Sequence, residues 1–129
     1  MTSTLQKLPN EPIIVDSMSP DYNLSVELPQ ALPKLIETLE QLTEPVFWIV
    51  DVSKVEKMSV EDLLVGTDLL ITGQNPLYRH RNIREAMYVT NNQMIRMAAA
   101  GVSDEFFGNL KIQVFETLEA ALQYVRKQP

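Results

Sequence analysis

Five consecutive apolar residues, Val46, Phe47, Trp48, Ile49 and Val50, stand between Pro45 and Asp51. A short unbroken run rich in β-branched and aromatic side chains suits a strand buried on both faces, at the centre of a sheet covered by helices. Beyond Asp51 the pattern turns polar. Ser59 and Asp62 have capping-box spacing, which predicts a helix running through Val60, Leu63, Leu64, Leu69, Leu70 and Ile71 and stopping at Gly73. A central strand thus delivers a loop and a helix start to one edge of the sheet, where open α/β folds carry their working surface.

The flanking patterns extend this picture. Residues 1–10 are polar and read as a loose, flexible N-terminal segment. Residues 13–18 predict a strand. In residues 22–28, Tyr22, Leu24, Val26 and Leu28 alternate with Asn23, Ser25 and Glu27, which predicts a second strand. Ser19, Pro20 and Asp21 between them are turn-forming, so the two read as a hairpin. From residue 30 to 42 the period lengthens. Leu32, Leu35, Ile36, Leu39 and Leu42 recur at helical spacing, and Pro29 and Pro33 place the first helical turn near Gln30.

After a loop over residues 74–82, residues 84–90 predict a strand, and Asn91 or Asn92 a cap for a helix through Met94, Ile95, Met97 and Ala98 to Gly101. Residues 111–115 predict the last strand. Thr117 caps a terminal helix whose stripe is Leu118, Ala121, Leu122 and Val125, with Arg126 and Lys127 at its cationic end. The predicted order is β-β-α-β-α-β-α-β-α: an α/β domain over residues 11–128, with a mixed, mostly parallel sheet covered by helices and an antiparallel pair at its start.

Composition narrows the chemistry. A chain of 129 residues with 45% apolar and 22% charged residues can bury a core without metal or disulfide. The absence of cysteine excludes a disulfide framework, a thiol nucleophile and a thiolate zinc site, and fits a cytoplasmic setting. A net charge of −6 argues against a nucleic-acid partner. No apolar run approaches the ~20 residues of a membrane span, so no membrane insertion is expected. The four glycines form no Gly-x-Gly phosphate loop, and nothing assembles nucleophile, base and oxyanion donors. No enzyme and no cofactor is expected.

Candidate surface residues remain. Ser59 at a helix start could accept a phosphate, but its capping spacing already accounts for it. Glu61 could imitate a fixed phosphate charge, or simply suit the helix dipole. Asp51 is best read as tying down the loop that follows, which carries Ser53. Arg79, Arg81 and Arg84 surround the single histidine, His80, and make the one concentrated basic feature of an acidic chain. Such a cluster could hold an anionic group, although a solvated loop between helix and strand is the better reading. Met87, Met94 and Met97 suit the core better than a groove.

With this order, the chain resembles the STAS domain, the sulfate-transporter and anti-sigma-factor antagonist family, and in particular its SpoIIAA-like branch. The resemblance covers roughly residues 12–127 and rests on the element order, on WIVDVSKV leading into a helix, and on the ending KIQVFETLEAALQYV. It implies a non-enzymatic regulatory domain that works through protein contacts. Antagonists of this family carry Asp-Ser-Ser-Gly at the helix start after the central strand, the second serine being phosphorylated. Here Ser59, Val60, Glu61 and Asp62 stand in its place, with Glu61 at that serine. The usual phosphoserine motif is therefore lacking.

Two functions follow. In the first, a protein partner docks on the edge formed by residues 51–62, presenting Ser53, Ser59 and Glu61. In the second, a small lipid-like or anionic ligand lies against Val60, Leu64 and the methionines under Arg79, Arg81 and Arg84. A homodimer is compatible with either.

Overall fold

The computed structural model describes residues 3–55, 81–93 and 112–128. Their elements are β1 (Ser3–Lys7), β2 (Ile13–Met18), α1 (Leu24–Glu40), β3 (Val46–Asp51), β4 (Ile83–Val89), β5 (Ile112–Phe115) and α2 (Leu118–Arg126). The strands form one sheet in the order β1-β2-β3-β4-β5. β1 runs antiparallel to β2, and β2 through β5 are mutually parallel. The predicted α/β class holds, with β3 in the middle of the sheet. The helix predicted after Ser59 lies outside the described residues, as does most of the helix predicted after Asn92.

The apolar run of β3 is buried on both sides. Val46, Trp48 and Val50 face a core with Leu28, Leu35 and Leu39 of α1, while Phe47 and Ile49 face a second core with Ala121 and Val125 of α2. Alternate side chains of one strand thereby serve two layers. Trp48 is only 1% exposed. α2 follows its prediction closely: the Thr117 hydroxyl accepts the Ala120 N–H (3.1 Å), and Arg126 sits in the last turn.

Two sequence expectations are corrected at the N-terminal end. Residues 3–7 are not loose but form β1, paired from Ser3↔Met18 to Lys7↔Ile14. An antiparallel opening pair therefore exists, but its strands are β1 and β2. Their connection is pinned by the Leu8 N–H to the Ile13 carbonyl (3.0 Å), and Asn10 takes a left-handed φ of 60°, a conformation asparagine tolerates well.

Residues 22–28, expected as a strand, instead enter α1. The helix starts after Asn23, whose N–H donates to the Glu27 carboxylate, so Glu27 reaches back as in a capping box. Both prolines lie inside the helix rather than at its first turn. An interior proline costs ~3 kcal/mol, but burying each leucine contributes ~1.5–3 kcal/mol. Leu28, Leu35 and Leu39 are buried and Leu32 and Ile36 partly so, whereas Pro29 and Pro33 lie on the exposed side. The apolar stripe outweighs the prolines.

Asn82 locks the end of α1 to the start of β4. Its buried amide donates to the carbonyls of Leu39 (2.7 Å) and Leu42 (3.3 Å), and its own carbonyl accepts the Val46 N–H (2.9 Å). Asn82→Ala leaves the Leu39 carbonyl without that donor and is expected to destabilise the domain by ~1–3 kcal/mol. Urea unfolding of the two proteins checks this, and a change within ±0.5 kcal/mol would contradict it.

Candidate functional site

Because β2 to β5 are parallel, their carboxyl ends form one edge, where open α/β sheets place ligands and partners. Pairing continues past the strand ends. The Val52 N–H donates to the Val89 carbonyl (3.1 Å), and the Thr90 N–H to the Phe115 carbonyl (2.8 Å). The turns that follow β3 and β4 are held by their own side chains. Asp51 Oδ1 accepts both the Ser53 N–H (3.0 Å) and the Ser53 hydroxyl (2.6 Å). Thr90, 1% exposed, accepts the Asn92 N–H on its hydroxyl (3.0 Å). Such local bonds fix a turn without needing a partner. Asp51 thus plays the structural part expected of it, and it leaves Ser53 and Lys54 exposed just beyond the central strand.

The arginines lie elsewhere. The β3–β4 pairing slips between Val46↔Ile83 and Phe47↔Glu85, so Arg84 is the extra residue of a bulge. Bulges re-aim side chains, and here the guanidinium carbon sits 4.7 Å over the Phe47 ring as a cation–π contact. Arg81 is exposed immediately before β4. Both are at the amino end of β4, whereas Ser53 follows the carboxyl end of β3. At the strand rise, seven residues separate the two ends by roughly 20 Å. The structure therefore does not bring Ser53 together with Arg81 and Arg84. Ser59, Glu61 and Arg79 lie outside the described residues, as does His80.

One polar residue was not singled out from the sequence. Asp16 interrupts the apolar run of β2, and the structure buries it to 7% exposure. Its Oδ1 has no hydrogen-bond partner among the described residues, and burial pushes the carboxyl up to about 6. An acidic residue inside an otherwise apolar strand is the signal that could have found it.

A mixed α/β chain with this five-stranded sheet matches a SpoIIAA-like fold. A solved structure with that fold, an uncharacterised protein of the DUF3478 family from Shewanella loihica PV-4, is similar over 96% of this chain and 92% of that chain, with a TM-score of 0.63 and 13% sequence identity. At that identity the likeness establishes the fold alone. No protein-family model and no curated protein matches the sequence. No helix among the described residues is long and apolar enough to cross a membrane.

Proposed function

We propose that the chain is a non-enzymatic interaction domain that receives a protein partner at the carboxyl edge of its sheet. The observation carrying this reading is the turn after β3, where Asp51 holds both the N–H and the hydroxyl of Ser53. An exposed serine is thereby held in a fixed arrangement, with exposed Lys54 beside it, just beyond the central strand β3. A rim that is already ordered gives up little conformational entropy on docking, which favours recognition. The Thr90–Asn92 turn beside it is fixed in the same manner and extends the surface. The SpoIIAA-like fold supports the reading by analogy, an associational argument. On this reading the domain acts as a regulator and does so without a phosphoserine switch.

The test uses cross-linking and affinity capture from native cells with wild type and a Ser53→Arg, Lys54→Glu variant. A partner retained by the wild type and lost by the variant, with unfolding midpoints unchanged, is the expected result. Equal retention by both proteins would remove the carboxyl edge from consideration. Native mass spectrometry of the purified protein separates the rival reading, since a stoichiometric small ligand would indicate a binding module instead.

A further inference from the structure

Asp16 lies at the middle of β2, flanked in the sheet by Leu5 of β1 and Val50 of β3. All three side chains share the face that α1 covers, with Ile14, Met18 and Trp48. Among the described residues β1 is an edge strand paired with β2, and Leu5 is the only apolar residue among its five. Leu5, which packs on this core, is therefore set directly beside the buried carboxyl. The other end of the strand is tethered. Lys7 Nζ donates to the Leu8 carbonyl (3.0 Å) and to the Glu11 carbonyl, Leu8 packs on the opposite core, and Glu11 pairs with Arg126 (2.9 Å).

We propose that β1 is a proton-gated strap: it closes over Asp16 when that carboxyl is neutral, and its release is favoured when the carboxyl is ionised. A charged carboxylate among apolar groups, with an oxygen lacking a hydrogen bond, is costly, and lifting Leu5 away lets water reach it. Release bares the outer edge of β2, a ladder of backbone groups that can pair with an extended segment of another chain.

Asp16 is the carboxyl of this face whose proton affinity burial raises. On the same face of β1, Lys7 is engaged with the carbonyls of the turn. The neighbours on β3, Trp48 and Val50, carry no charge, and Tyr22 and Tyr88 contribute phenol rings. On α1, Lys34, Glu37 and Glu40 are exposed and Glu27 is engaged with the Asn23 N–H. Asp21, beyond the end of β2, accepts the Ser19 hydroxyl (2.7 Å). Burial is the cause that raises the Asp16 carboxyl, with no charged neighbour contributing among the described residues.

Native-state amide exchange across a urea series, corrected for the intrinsic pH dependence of exchange, tests the proposal on the whole chain. The β1 amides should exchange through a local, urea-insensitive opening, ahead of the β3 and β4 amides. Its equilibrium constant should rise about tenfold between pH 5 and pH 7.5, as linkage requires for a carboxyl whose proton is held until about 6 when closed. In Asp16→Leu the opening should be independent of pH, with Asp16→Asn as the isosteric control. Exchange of β1 only together with β3 and β4 would overturn the strap. So would an opening in wild type that ignores pH, or one whose pH dependence persists in both variants.

Discussion

Trp48→Ala is expected to lower the unfolding free energy by ~3–5 kcal/mol, the usual cost of removing a large aromatic side chain from a packed core. Trp48 is 1% exposed on the central strand, within the layer formed with α1. Its removal leaves a void bounded by strands β2 and β4, each held to β3 along the whole pairing register. A backbone fixed on both sides cannot collapse into that space, so little of the loss is recovered by relaxation. Domains of this class are stable by only ~5–15 kcal/mol, so the variant should approach its unfolding threshold at physiological temperature. Urea denaturation followed by circular dichroism provides the measurement, and tryptophan emission in the wild type supplies a second. A destabilisation below about 1 kcal/mol, or emission like that of an exposed indole, would contradict the two-sided burial of β3.

The second large effect has the opposite sign. Asp16→Leu is expected to stabilise the protein by ~2–3 kcal/mol above neutral pH, and much less near pH 4. The folded carboxyl is raised from 3.8 to about 6, so between those values the folded state binds more protons than the unfolded chain. The Asp16 contribution is therefore most favourable below about 3.8 and is lost as pH rises through about 6. A shift of about two pH units corresponds to ~3 kcal/mol at most. Glu11 acts in the other direction. Its hydrogen bond from Arg126 holds the carboxyl below the ordinary range, so its contribution fades as pH falls. That group remains in both proteins and cancels in the comparison. The readout is the difference between the wild-type and Asp16→Leu stability profiles from pH 4 to pH 8. A constant difference across that range would show that Asp16 does not titrate in the folded protein as its burial requires.

Much of the site's scaffold was legible in the sequence. Asp51 ends an apolar strand and precedes a polar loop, and its tie to Ser53 spans two residues, within reach of local reasoning. The arginine cluster was legible as charge but not as place. Arg84 is turned by a bulge whose cause is the register between β3 and β4, strands separated by more than thirty positions in the chain. Whether Arg81 and Arg84 sit beside Ser53 or at the far end of the sheet depends on strand direction, which the composition of a loop does not encode.

The sequence by itself determined the class of fold, a central strand over Val46 to Val50, the strands near residues 84 and 112, and the Thr117-capped helix after them. These features follow from hydrophobic periodicity and caps, which act over a few residues. Only the tertiary structure decided that residues 24–28 join a helix. Tyr22, Val26 and Leu28 satisfy a period of two, but Leu28 with Leu32, Leu35 and Leu39 satisfies a helical stripe once the sheet offers a face to cover. It also decided that Ser3–Lys7 form a strand, since backbone bonds to β2 order a mostly polar stretch with no apolar alternation of its own. And it decided that Asp16 is buried. An aspartate in a strand is soluble or hidden according to what lies beside it, and here that is Leu5 on one side and Val50 on the other.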